Sequence, residues 1–169
     1  MHFFSGFCLR DESDLFDAFT CKSEFCVVGF SYGAIKALEY ALHVNTRIDK
    51  IQLISPAFFQ DKEEKFKKLQ TLYFAKDPQK YSEDFLKNIA YPSKILIEKY
   101  FHMQSIEELR ELLYYEWEGQ KLECLRAKGI EIELFIGEKD KIIDPLKVKE
   151  FFQPYSTVYF IKNVGHALH

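Results

Sequence analysis

A chain of 169 residues, 47% of them hydrophobic, is long enough to bury one sizeable core and too short for two ordinary ones. Its 26 acidic and 23 basic residues leave a formal charge of −3, which excludes the broad positive field by which nucleic-acid-binding domains attract phosphate. No apolar run approaches the ~20 residues of a membrane-spanning helix, so no membrane partner is expected.

The N-terminus, MHFFSGFCLRDES, has neither the basic and apolar regions nor the cleavage site of a signal peptide, and a cytoplasmic protein is expected. A short strand over His2 to Phe4 leads through a loop, SGFCLR, to a short helix predicted over DESDLFDAF. FCVVGF is continuously apolar, as a strand buried on both faces of a parallel sheet should be. Residues 32–44 then repeat at helical spacing, with Ala34, Leu38, Ala41 and Leu42 near one face, and KIQLIS supplies a third strand ending at Ser55-Pro56. For about sixty residues beyond it the pattern predicts only charged amphipathic helices: DKEEKFKKLQTLYF, YSEDFLKNI, SKILIEKYF and SIEELRELLYYEW. The last opens with a capping box, Ser105 and Glu108. Alternation resumes with KLECLRAK as a helix stopped by Gly129, IEIELFIG as a strand, PLKVKEFF as a helix opened by Pro145, and TVYFIK as the last strand. Five strands joined by helical crossovers predict an α/β domain with a mostly parallel sheet, a single unit over 1–169. A helical lid over about residues 58–118 is expected after the third strand. Cys8, Cys21, Cys26 and Cys124 have no metal-ligand spacing, so reduced thiols and no metal site are expected.

Gly29-Phe30-Ser31-Tyr32-Gly33 is a G-x-S-x-G sequence set between the apolar strand and the amphipathic helix, the context of a nucleophile elbow. Glycines two positions either side of Ser31 leave room for a tight turn, and the helix start offers amide donors to a developing oxyanion. An alcohol is a weak nucleophile at neutral pH, so Ser31 needs a base and a group that holds the base in the right tautomer. His166, in Asn-Val-Gly-His after the last strand, falls on a loop at a strand's carboxyl end; His2, His43, His102 and His169 do not. The orienting acid should lie between serine and histidine in the chain, which selects Asp140 in IGEKDKIIDP. Asp144 precedes Pro145 and reads as a helix cap. In the first loop, Gly6 permits a sharp turn, and the backbone N–H of Phe7 pairs with that of Tyr32 as the expected oxyanion donors.

These pieces, SGF, GFSYG, GEKDKI and GHAL, resemble the catalytic loops of α/β hydrolases over nearly the whole chain. Against that family the chain is reduced: only 23 positions separate Gly6 from Gly29, and a strand-helix unit and the leading strands are missing. Ser5-Gly6 also stands where the family has His-Gly, which leaves the bracing of that loop open. With FSGF at its start, the short architecture is most similar to the pimeloyl-acyl-carrier-protein methyl ester esterases of biotin synthesis, of the reduced BioV type. The resemblance implies a cytoplasmic carboxylesterase without cofactor that removes the methyl ester from a pimeloyl chain carried by acyl carrier protein.

For such a substrate the lid offers Phe58, Phe59, Leu72, Tyr73, Phe74, Tyr100 and Phe101 as acyl-channel candidates. Lys62, Lys65, Lys68, Lys94 and Lys99 are candidate contacts to the acidic carrier. The same catalytic residues would serve another esterase or a thioesterase, and a noncatalytic binding module derived from a hydrolase is the alternative of another class.

Overall fold

The computed structural model describes all of residues 1–169. Five parallel strands, β1 (His2–Phe4), β2 (Cys26–Phe30), β3 (Lys50–Ile54), β4 (Glu131–Gly137) and β5 (Thr157–Ile161), lie side by side in chain order. Between them run α1 (Tyr32–His43), α2 (Glu64–Lys76), α3 (Pro78–Ala90), α4 (Ile106–Tyr114), α5 (Gly119–Ala127) and α6 (Pro145–Phe152). None of these helices is long and apolar enough to cross a membrane.

Alternation along the central strands divides their apolar residues between two faces. Val27, Ile51, Leu53, Ile132 and Leu134 join the larger core with Ala34 and Leu38 of α1, Leu122 of α5 and Val148 and Phe152 of α6. Val28, Phe30, Ile54 and Phe135 join the second with Phe16, with Leu86 and Ile89 of α3, and with the C-terminal Ala167 and Leu168. Burial on both faces is the reason FCVVGF carries no polar alternation. Lower on the second face two polar side chains are buried and pair with each other: Gln52 Nε2 donates to Glu133 Oε2 at 2.7 Å, and Lys50 Nζ donates to Glu133 Oε1 at 2.6 Å.

The helix ends follow local chemistry. Ser105 and Glu108 close a reciprocal capping box at the start of α4. At the end of α5 Gly129 has φ +79°, its N–H donates to the Arg126 carbonyl and the Ile130 N–H to that of Leu125, a Schellman ending in which glycine takes the left-handed position.

Two expected helices take a different form. Residues 93–101 form no α-helix; a 3₁₀ turn over Ile97–Tyr100 buries these two side chains, which lie three positions apart on one edge of such a turn, while Leu96 stays exposed. Likewise DESDLFDAF is reduced to a 3₁₀ segment, Glu12–Phe16, that buries Glu12 and Phe16. Four α-helices, α2 to α5, lie between β3 and β4.

Candidate active site

Loops at the carboxyl ends of β2, β3, β4 and β5 converge on one edge of the sheet, where open α/β sheets place their ligands. The turn after β2 is the tightest of them. Ser31 has φ 54° and ψ −115°, a backbone conformation that few non-glycine residues adopt. Its neighbours in the motif make that turn possible. A side chain on Gly29 would meet the Gly33 carbonyl oxygen at 2.3 Å and the Ala34 Cα at 2.6 Å. One on Gly33 would meet the Phe4 carbonyl oxygen at 2.0 Å, so α1 can start against the end of β1 only where there is no Cβ. Gly33→Ala is therefore expected to destabilise the fold by about 1–3 kcal/mol, the usual cost of overpacking against backbone that cannot move; thermal unfolding of the purified variant measures it.

Ser31, His166 and Asp140 meet in one hydrogen-bonded chain. His166 Nε2 lies 2.9 Å from Ser31 Oγ and His166 Nδ1 lies 2.6 Å from Asp140 Oδ2. A carboxylate can only accept, so Nδ1 carries the proton and donates to Asp140, which leaves the Nε2 lone pair facing the serine hydroxyl. The other carboxylate oxygen, Asp140 Oδ1, accepts from the N–H groups of Ile142 (2.7 Å) and Ile143 (3.1 Å). Asp144 is turned elsewhere: its Oδ1 accepts from Leu146 and Lys147 N–H and caps α6. Both side chains of the His166–Asp140 pair are fully buried, and Ser31 is 2% exposed.

Close approach of loops holds the histidine. A Cβ on Gly165 would fall 1.7 Å from the Tyr91 carbonyl oxygen, and one on Gly137 2.1 Å from that of Gly165. Ser55, in the loop after β3, donates its hydroxyl to the His166 carbonyl at 2.7 Å, and the Phe30 ring lies 5.2 Å from the imidazole. Ser55 was not among the residues expected from the sequence; a serine after a strand carries no local signal of a partner 111 positions away.

The other expected donors lie at the same edge. Tyr32 opens α1, so its N–H has no intrahelical acceptor. The Phe7 ring meets the Tyr32 ring edge-on, centroids 6.5 Å apart, and the Phe7 N–H has no acceptor in the protein although the residue is fully buried. Glu12 and Gln104, both missed from the sequence, hold the amides on either side: Gly6 N–H donates to Glu12 Oε1 at 2.7 Å and Cys8 N–H to Gln104 Oε1 at 2.9 Å. Contacts six and 96 positions apart leave no periodicity by which to find them.

Beside this edge α2, α3 and α4 enclose a cleft of about 660 Å³. Its apolar lining includes Phe59, Phe66, Phe85, Leu112 and Ile142, while Lys76, Lys80 and Lys141 lie at its polar part. Ile142 follows Asp140 by two positions, and the Phe85 ring meets Phe7 edge-on at 5.6 Å, so the cleft borders the loops of the site. Of the expected acyl-channel residues only Phe59 and Tyr73 line it. Phe58 packs on Phe151 and Phe152, Phe74 is buried between Phe7 and Tyr81, and Leu72 faces solvent on α2. Tyr100 and Phe101 belong to the second core, Tyr100 through a 3₁₀ turn whose hydroxyl donates to Asp14. Among the candidate carrier contacts, Lys65 and Lys94 are exposed without a carboxylate partner, whereas Lys62 pairs with Asp61, Lys68 with Glu64 and Lys99 with Asp14.

No protein-family model matches the sequence, and no curated protein matches it. Solved structures do. A carboxylesterase structure from the thaumarchaeon Nitrososphaera gargenis aligns with 83% of the chain at TM-score 0.55 and 19% identity. Naproxen esterase from Bacillus subtilis aligns with 85% at TM-score 0.55 and 18% identity, and MenH from S. aureus with 99% at TM-score 0.59 and 18% identity. This chain has the α/β-hydrolase fold. It spans 57% of the archaeal structure and 53% of the Bacillus one, against 86% of MenH. At such identities the likeness shows the fold alone.

Proposed function

We propose that the chain is a serine carboxylesterase. The observation that carries the reading is the continuous hydrogen-bonded chain Ser31–His166–Asp140, set at a strained turn beside a buried amide that has no acceptor. In this mechanism His166 Nε2 takes the Ser31 proton as Oγ attacks the ester carbonyl, and Asp140 stabilises the imidazolium that forms. The tetrahedral oxyanion is held by the N–H groups of Phe7 and Tyr32. His166 then gives its proton to the leaving alcohol, and water, activated by the same histidine, releases the acid and restores Ser31. Every step uses this chain's own groups and no cofactor.

The substrate we propose, from the resemblance of its loops, is the methyl ester of a pimeloyl chain on acyl carrier protein in biotin synthesis. A cleft with an apolar lining beside the site suits an acyl chain, with α2, α3 and α4 acting as the lid, and a cytoplasmic location would follow from that role. Incubation with the carrier-bound methyl ester is expected to release methanol and convert the acyl group to the free acid, read by mass spectrometry of the carrier; unchanged substrate would refute this assignment. If lysines on the lid dock the carrier, replacing Lys65 and Lys94 by glutamate lowers kcat/KM for carrier-bound ester by about tenfold relative to a p-nitrophenyl ester. Equal losses on the two substrates would show that these charges do not recognise the carrier.

A further inference from the structure

Along the loop after β1 every amide from Gly6 to Arg10 has an acceptor except one. Gly6 and Cys8 donate to Glu12 and Gln104 side chains, Leu9 to the Gly6 carbonyl at 3.2 Å and Arg10 to the Tyr100 carbonyl at 2.8 Å. The Phe7 N–H alone is left over in a fully buried residue. Buried amides without a partner are rare because each costs the free energy of the lost hydrogen bond with water, so an orphan of this kind asks for a function.

Both of its neighbours are fixed by side chains brought from elsewhere. Gln104 arrives on a segment that pairs antiparallel with the loop, through the Leu9–Phe101 bridge and a 3.0 Å hydrogen bond from His102 N–H to the Cys8 carbonyl. Cys8 itself has φ 58°, so the chain bends sharply just past the free amide. Glu12 is a carboxyl with no exposed surface, and its second oxygen, Oε2, has no hydrogen-bond partner. Burial pushes its carboxyl above the usual range, although hydrogen bonding to the Gly6 amide, its own amide and the Ser5 hydroxyl pulls the other way. A buried acid with one carboxylate oxygen left unpartnered is costly for stability alone.

We infer that Glu12 and Gln104 are positioning residues, clamping the Gly6 and Cys8 amides so that the Phe7 N–H stays free to receive the oxyanion. The inference rests on the esterase reading, since a clamp on an oxyanion donor matters only where an oxyanion forms.

The test is p-nitrophenyl acetate hydrolysis together with amide hydrogen exchange over residues 5–8, in the wild type, Glu12→Leu, Gln104→Leu and the acceptor-retaining Glu12→Gln and Gln104→Glu. Since losing an oxyanion donor outright costs on the order of 10²–10³ in kcat, a displaced one should cost at least about tenfold at little changed KM. The two leucine variants are expected to show that loss and faster exchange at Gly6 or Cys8, with most of both recovered in Glu12→Gln and Gln104→Glu. Should Glu12→Leu fail to fold, the less buried Gln104 pair gives the same reading. An active wild type whose folded leucine variants keep its kcat would overturn the clamp and leave the esterase reading standing. A wild type that hydrolyses no ester would overturn that reading, and the clamp with it.

Discussion

Asp140→Asn is expected to fold normally and to lose on the order of 10⁴ in turnover, the usual consequence of replacing a triad's orienting acid by its amide. The amide keeps an oxygen that can accept from Ile142 and Ile143, so the turn after β4 survives. What changes is the group facing His166. An NH₂ in the place of Oδ2 cannot accept the Nδ1 proton, and the imidazole is driven to the tautomer with its proton on Nε2, facing Ser31. A protonated Nε2 cannot take the serine proton. Asp144 provides the control: it caps α6 and touches neither Ser31 nor His166, so Asp144→Ala should cost about 1 kcal/mol of stability and leave turnover close to wild type. Steady-state kinetics and thermal unfolding of the two variants check both halves, and an active Asp140→Asn would mean that another carboxylate orients the histidine.

Ser31→Ala should have the larger effect. Removing the nucleophile of such a unit lowers kcat by on the order of 10⁶, leaving only what binding and oxyanion donors contribute. The cost to the fold is small, because alanine meets the same strain at φ 54° that serine already bears, and only Oγ and its hydrogen bond to His166 are lost. The variant is expected to unfold within a few degrees of wild type while ester hydrolysis falls to background. Appreciable turnover by pure, folded Ser31→Ala would place the nucleophile elsewhere.

Much of the architecture was legible because its signals are local. A strand buried on both faces announces itself as an unbroken apolar run, as FCVVGF does, and a helix N-terminus by its cap, as Asp144-Pro145 and Ser105 with Glu108 do. The proximity of Ser31, Asp140 and His166 follows from the same signals, since parallel strands deliver all their carboxyl-end loops to one edge. Hidden from the sequence were contacts that depend on how distant pieces meet. Glu12 reads as a charged residue at the start of a surface helix, and nothing local says that it is sealed under the Gly6 amide. Gln52 and Glu133 read as polar interruptions of two strands, yet each satisfies the other in the interior. The acyl-channel expectation holds only in part for the same reason: aromatic residues after a buried strand tell that they are buried, not whether they meet a cavity, as Phe59 does, or a core helix, as Phe58 does.

The serine mechanism requires that Ser31 be an activated nucleophile, and covalent labelling reads that directly. A fluorophosphonate reacts with a serine whose proton is removed by a poised base, and the adduct is located by mass spectrometry of the digested protein. The wild type is expected to carry one phosphonyl group, on the peptide containing Ser31, with labelling abolished in Ser31→Ala and strongly slowed in His166→Ala. An unlabelled wild-type protein, or equal labelling of Ser31→Ala, would contradict the serine mechanism.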